Sequence, residues 1–560
     1  MDLKLLTTEP TAEERTAIDA VVGVEAVSGT RIARSYRDGR HLLLPALRAA
    51  QRRVGYVSEG ALGYVARRLE VPPADAYGVA TFYALLALEP REPDVLHVCT
   101  DLACRLHGAV VPEGAHPSPC LGLCERAPAA YRTVAGTEPR EEQIPAVGPP
   151  LPQAGERGLR LLRRMAAGLD PESLDDYRKQ GGYNALRRAV ELGPAGVLRE
   201  VVESKLLGRG GAAFPTGVKW QAVAAQPTRP HYLVCNADES EPGTFKDRVL
   251  MENDPFALVE AMTIAAYATA CEHGFVYVRA EYPLAHARLE NAFEQARVRG
   301  FLGENIMGTG FSFDLELRIG AGAYVCGEET ALFQSIEGFR GEPRSKPPFP
   351  VEVGLFGKPT VVNNVETLFN VLDVVDEGAA AYVGTGTPDS TGTRLFCVSG
   401  HVERPGLYEV PFGMPLSTLL ELAQARPPKA VLLGGAAGSF LRPDQLDLPL
   451  SFEDARAAGA TLGSGVVIVY DESADLVDAV LRIAEFFRDE SCGQCVPCRV
   501  GTVRQEEALK RLASGRTNGN ELELLADLTQ VMRDASICGL GQTAANAVAS
   551  AMMNLGVLAP

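Results

Sequence analysis

The sequence predicts an α/β protein of several domains, and three observations carry that expectation. At 560 residues the chain is too long for one hydrophobic core, given roughly 150 residues per domain. From about 195 to 375, strand-like and helix-like patterns alternate, as in a layered α/β domain. Short glycine-bounded strands follow, and helical periodicity returns after Ser473.

Residues 1 to about 90 read as helical: Leu42–Val54 and Ala61–Leu69 carry apolar residues at helical spacing, and Pro72–Pro73 break the pattern. Val95–Val98 is a strand running into the first cysteines. The Pro- and Gly-rich stretch Val147–Gly158 reads as a linker, followed by a short helical stretch to Arg188. In the α/β region His231–Cys235, Gly274–Val278 and Phe313–Ile319 are strands, while Phe256–Cys271 and Ala285–Val298 are helices. Asp254 supplies an N-cap and Pro255 a first-turn proline for the former helix. Arg394–Ser399, Val431–Leu433 and Val466–Tyr470 form a small β-rich domain. Beyond it, Leu476, Val477, Val480, Ile483, Ala484 and Phe487 make one apolar helical stripe.

Composition narrows the function. Acidic residues outnumber basic ones 71 to 54, leaving a formal charge of −17 that argues against nucleic-acid or anionic-membrane partners. The N-terminus lacks a secretory pattern. The longest apolar stretch, near Ala261–Cys271, is shorter than the ~18–20 residues of a membrane helix. A cytoplasmic protein, not embedded in a membrane, is expected. In that reducing compartment, eight clustered cysteines of twelve point to metal or redox chemistry rather than disulfides.

Cys492, Cys495 and Cys498 stand as C-x2-C-x2-C, with Cys538 remote. Three thiolates on one turn-rich segment reach three corners of a cubane and a fourth closes it, so a [4Fe–4S] cluster is expected over a structural zinc. Cys99 and Cys104 (C-x4-C) with Cys120 and Cys124 (C-x3-C) suit a two-iron rhomb, with zinc as the rival. The isolated Cys235, Cys271, Cys326 and Cys397 read as small buried hydrophobes.

Three further segments suggest a nucleotide site. The loop from Leu207 to Trp220 is dense in glycine, so main-chain N–H groups can approach a phosphate that Arg209 or Lys219 would neutralise. No strand precedes it, as a Rossmann turn would require, and alone it reads better as a structural loop. Residues 235–247 and 319–330 each follow a strand and concentrate carboxylates and amides, where α/β domains bind ligands.

Residues 195–560 resemble the NADH-binding flavoprotein subunit of respiratory complex I, through GRGGAAFPTGVKW, NADESEPGTFKD, GAGAYVCGEE, KPPFP, NNVET, ESCGQCVPCRVGT and SICGLG. Residues 1–145 resemble that complex's small thioredoxin-like [2Fe–2S] subunit, through ATFY, CTDLAC and CLGLCERAP. Fusion of both modules in one chain is similar to the diaphorase (beta) subunit of metal-dependent, NAD-linked formate dehydrogenases. The fused subunit of NAD-reducing hydrogenases and a complex I-like subunit are the alternatives, and a zinc-stabilised scaffold is the non-enzymatic one.

The resemblance implies a helical region (1–90), a thioredoxin-like [2Fe–2S] domain (91–145), a linker and helix (146–194) and a Rossmann-like FMN/NAD-binding domain (195–375). A ubiquitin-like (SLBB) β domain (376–472) and a C-terminal helical bundle with the [4Fe–4S] cluster (473–560) would follow. FMN would be held by Gly208, Arg209, Gly210, Lys219, Asn236, Asp238, Tyr324, Gly327, Glu328, Asn363 and Asn364. NAD(H) would lie over the flavin against Phe214, Lys346, Phe349 and the site carboxylates Glu241 and Glu329. The two phenylalanines suit an adenine sandwich, and the acidic lining disfavours a 2′-phosphate, hence NAD over NADP. Hydride would pass between nicotinamide and flavin, with electrons exchanged singly with the cubane. The implied partner is a molybdenum- or tungsten-bearing formate dehydrogenase alpha subunit with iron–sulfur clusters, in a hetero-oligomer. Two departures carry expectations of their own. Only 15 residues separate Cys104 from Cys120, implying a thioredoxin-like fold short of a helix or strand. An aromatic expected just after Trp220 is absent (Gln221-Ala222), implying a looser adenine pocket.

Overall fold

A computed structural model of the protein describes residues 8–23, 39–517 and 519–558. Near the N-terminus, helices Leu43–Val54, Glu59–Arg68 and Pro73–Ala80 pack their apolar faces together, burying Leu44, Leu47, Leu62, Val65 and Val79. The Ser58 hydroxyl caps the second by accepting from the Ala61 N–H at 3.0 Å. Pro73 opens the third, so the proline pair separates helices rather than ending the helical region.

Four strands follow: β1 (Asp94–Cys99), β2 (His116–Ser118), β3 (Ala130–Val134) and β4 (Arg140–Ile144). They form one sheet in the order β2-β1-β3-β4, with β1 parallel to β2 and the other pairs antiparallel. The short cysteine spacer holds the strand β2 but no helix of its own: the single-turn helix Leu102–Leu106 starts before Cys104 and contains it, in keeping with the expected loss of one element. The strand leaves little trace in the sequence because it is three residues long and contains Pro117, which edge position tolerates.

The central domain is built on β5 (Tyr232–Ala237), β6 (His273–Val278), β7 (Asp314–Ile319) and β8 (Thr360–Asn364), all parallel, in the order β7-β6-β5-β8. The order reverses between β5 and β8, which opens a crevice at their carboxyl ends. Helices Pro255–Thr269 and Val365–Glu377 pack together beside this sheet and are buried over nearly their whole length. Parallel strands need such cover, because their side chains are apolar on both faces.

Asp254 precedes Pro255 as expected, but its carboxylate does not cap the helix. It accepts instead from Arg164 Nε at 2.6 Å, and both side chains are buried. A buried acid with a buried arginine within reach is worth more as an ion pair than as a cap. Replacing Arg164 by Met would leave Asp254 buried and unpaired, costing about 3–5 kcal/mol. Thermal unfolding of the full chain checks this as a lowered first transition.

β9 (Thr393–Gly400), β10 (Gly406–Pro411), β11 (Pro428–Leu433), β12 (Ser439–Leu441) and β13 (Val466–Asp471) make a mixed sheet in the order β10-β9-β13-β11-β12. Its own core includes Phe396, Val410, Leu419, Val431 and Val469. The C-terminal bundle comprises Leu476–Asp489, Val496–Ala513, Glu521–Ala535 and Asn546–Leu555. The first of these buries the apolar stripe read from the sequence apart from Val477, which is half-buried. No helix of the described residues is long and apolar enough to cross a membrane.

Candidate functional site

The crevice beyond β5 and β8 holds two adjoining cavities, of about 440 and 770 Å³. Gly210, Ala212, Asn236, Gly327, Glu328 and Asn364 border both. β5 delivers Asn236 and Asp238 to this point and β8 delivers Asn363 and Asn364. The Gly-rich loop closes over them from between two helices, Asn184–Glu203 and Thr216–Ala224. Its glycines are therefore not a Rossmann turn, although the sheet order is that of half a dinucleotide fold.

Polar groups without partners gather in the smaller cavity. Asp238 Oδ2 is buried and unbonded, and burial holds its carboxyl well above the usual carboxylate range. Asn236 Nδ2 donates to the Gly327 carbonyl at 2.7 Å, fixing the amide. Glu241 accepts from the Tyr324 hydroxyl and, at 2.8 Å, from the Ala437 N–H. Burial raises its pKa to about 7, despite those hydrogen bonds. Gly435 is required beside it: its φ is +83°, and a Cβ there would stand 2.6 Å from Glu241 Cγ.

The larger cavity is more apolar and carries the charged triad Lys219, Glu329 and Lys346. Lys346 Nζ lies 2.6 Å from Glu329 and 3.1 Å from Glu328, and Lys219 Nζ lies 3.6 Å from Glu329. Burial opposes ionisation of Glu329, but the two lysines overcome it and hold its pKa below the ordinary value. Glu328 caps the helix Glu329–Ile336, accepting from the N–H groups of Thr330 and Ala331. Phe214 and Phe349 line the same cavity and stay half exposed, at 51% and 52%. Gly208 and Ala222 line it too, the latter where an aromatic was expected. Asn363 accepts from Trp220 Nε1 at 2.8 Å, while Asn364 bridges Lys246 and Asp247. Replacing Lys346 by Ala removes one cation from this wall and is expected to raise KM for NADH about tenfold, the equivalent of one charged hydrogen bond. Steady-state kinetics with flavin content unchanged would check it.

The geometry corrects one expected role. The Arg209 guanidinium does not face either cavity; it turns behind the loop and is fully buried against the β domain.

The thiols gather as two sets. Cys492, Cys495, Cys498 and Cys538 line one small cavity with Val325, Pro343 and Leu540. Burial raises the pKa of the Cys538 thiol, and the backbone amides of Leu540 and Gly541 act against that rise, an environment that favours a thiolate. Val325 and Leu540 also line the smaller ligand cavity, so a wall one side chain thick separates the two. Cys99, Cys104, Cys120 and Cys124 are all buried around one point, with the Cys120 and Cys124 sulfurs 3.4 Å apart. The donor chemistry of both sets fits iron–sulfur clusters. The isolated Cys235, Cys271, Cys326 and Cys397 are buried.

Some site residues have no signal of their own in the sequence. The β domain contributes Gly434, Ala437, Thr461, Gly463 and Ser464 to the smaller cavity. The glycines around these short strands are visible, but nothing local shows which way their loops face. The Cys120 loop is held by the central domain: Arg279 Nη2 donates to the Cys120 carbonyl at 2.7 Å and Arg248 Nε to the Gly122 carbonyl at 2.8 Å. Arg279 Nη1 also donates to the Glu239 carbonyl at the ligand cavity, at 2.8 Å.

A parallel-sheet crevice with orphaned polar groups, beside two gathered thiol sets, has the makings of a ligand site coupled to iron–sulfur electron transfer. Comparison with known families agrees. Residues 201–373 match the Nuo51 FMN-binding domain, and 478–555 match the iron–sulfur binding region of NADH-ubiquinone oxidoreductase-F. Residues 30–111 match the thioredoxin-like [2Fe–2S] ferredoxin and 395–431 the SLBB domain. The chain belongs to the family of NADH-binding flavoproteins that includes the F subunit of NADH-quinone oxidoreductase, joined here to a thioredoxin-like [2Fe–2S] module. Its cofactors are FMN, NAD(H), a [4Fe–4S] and a [2Fe–2S] cluster.

Among its relatives, the NADP-reducing hydrogenase protein HndC of Solidesulfovibrio fructosivorans is 44% identical over 71% of this chain and 82% of its own. The F subunit of NADH-quinone oxidoreductase in Aquifex aeolicus is 44% identical over 70% of this chain and 91% of its own. A solved NAD+-reducing [NiFe]-hydrogenase chain, air-oxidised, superposes with a TM-score of 0.78 at 33% identity, covering 92% of both chains.

Proposed function

We propose that this chain is the NAD(H)-facing subunit of a cytoplasmic formate dehydrogenase complex, coupling formate oxidation to NAD+ reduction. The observation that carries the electron-transfer part is the thin wall of Val325 and Leu540 between the ligand cavity and the Cys492/Cys495/Cys498/Cys538 cavity. FMN, when bound, supplies the exchange between a two-electron hydride and single electrons. The chain's own residues align rather than donate protons. Asn236, Asp238, Asn363 and Asn364 would hold the flavin. Glu241, Glu329, Lys346, Phe214 and Phe349 would orient the nicotinamide nucleotide above it. Fusion of the [2Fe–2S] module to the flavoprotein is the feature behind the formate reading, one it shares with the hydrogenase reading below, and the partner it calls for is a molybdenum- or tungsten-bearing alpha subunit.

A second reading has a specific observation behind it: the fused architecture extends over 92% of a chain of an NAD+-reducing [NiFe]-hydrogenase. Purifying the native complex separates the two. Molybdenum or tungsten with formate-driven NAD+ reduction is the expected result. Nickel with H2-driven reduction would replace the formate reading by the hydrogenase one.

A further inference from the structure

Two arginines of the described residues are buried behind the Gly-rich loop with no carboxylate in ion-pair contact. Arg209 is 0% exposed. Its Nη2 donates to the carbonyls of Thr391 (2.8 Å) and Thr393 (3.3 Å) and to the Tyr382 hydroxyl (3.2 Å). The guanidinium lies 4.6 Å over the Phe412 ring. Arg394, also 0% exposed, lies 4.9 Å over Phe452 and donates to the Gly463 carbonyl, on the β-domain loop that borders the ligand cavity. That loop reaches the Gly-rich loop itself: a Cβ on Gly211 would stand 3.7 Å from Gly463.

Arg209 Nε and Arg394 Nε and Nη1 have no hydrogen-bond partner. The acid nearest in effect, Glu366, is 3.2 Å from Lys246 and engaged there. Burial brings the Arg394 pKa down to about 10, opposed by Glu366 and reinforced by Arg209. Buried cations with no carboxylate in contact are costly, and the cost falls if an anion settles nearby.

We propose that Arg209 and Arg394 form a buried cation pair whose field, acting through the Gly-rich loop, strengthens binding of the FMN phosphate without touching it. They are positioning residues, and the inference rests on FMN occupying this cavity.

The test is titration of flavin-stripped full-length chain with FMN and with riboflavin, which has the same ring and no phosphate. Arg209→Met and Arg394→Met are each expected to weaken FMN binding at least tenfold and to leave riboflavin binding within twofold. Arg209→Lys, which keeps the charge, should stay within about threefold of the parent for FMN. Equal losses for both ligands, or no loss for FMN, would overturn the inference. Failure of the unaltered chain to bind FMN would instead overturn the cofactor assignment.

Discussion

Replacing Glu241 by Ala is expected to leave the flavin bound and to lower kcat/KM for NADH by about two orders of magnitude. Removing one member of a buried, hydrogen-bonded charged set costs about 2–5 kcal/mol, and a hundredfold loss is about 2.7 kcal/mol. Glu241 is such a member, fixed between the Tyr324 hydroxyl and the Ala437 amide. Its pH behaviour provides a second reading of the same site. Burial raises its pKa from 4.5 to about 7, so the folded protein holds a proton that the unfolded chain has released. The resulting destabilisation is absent below about 4.5, grows as pH rises and is complete above about 7. Tyr324, the amides of Ala436 and Ala437, and Asp101 are the groups that act on it. Nucleotide kinetics should therefore change near pH 7, and Glu241→Gln should flatten that inflection. Unchanged kinetics and an unchanged profile would remove Glu241 from the nucleotide site.

Cys538→Ser should abolish the [4Fe–4S] signal in the reduced protein while leaving the [2Fe–2S] signal and the flavin intact. A hydroxyl is a harder and weaker ligand for iron than a thiolate. Cys538 is also the remote ligand, reached only across the bundle, so no neighbouring cysteine of its segment substitutes for it. NADH oxidation by two-electron dyes would persist, whereas electron transfer onward through the cluster to one-electron acceptors would fall to background. Spectroscopy of the reduced variant, alongside both assays, checks this. Retention of the signal would exclude Cys538 as a ligand.

Much of this architecture is legible in the residues alone, because the signals are local. The C-x2-C-x2-C run, the strand His231–Cys235 that leads into Asn236, and the stripe from Leu476 to Phe487 depend on spacing that any chain position displays. What is illegible depends on long-range partners. Asp254 has the chemistry of a cap, but an arginine 90 residues away claims it. Arg209 stands among glycines that suit a phosphate, yet carbonyls more than 180 residues on turn it around. β2 pairs through three residues including a proline, too brief a segment for alternation to register. The participation of the β domain in the ligand cavity likewise has no local trace beyond its glycines.

The grip of Arg248 and Arg279 on the Cys120 loop joins parts of a single polypeptide. Where two separate proteins must meet, such a contact dissolves on dilution. A covalent tether instead keeps the loop at an effective concentration in the millimolar range whatever the abundance of the protein. The small redox module thus stays docked at cellular scarcity, and its stoichiometry with the flavin domain is set by translation rather than by affinity.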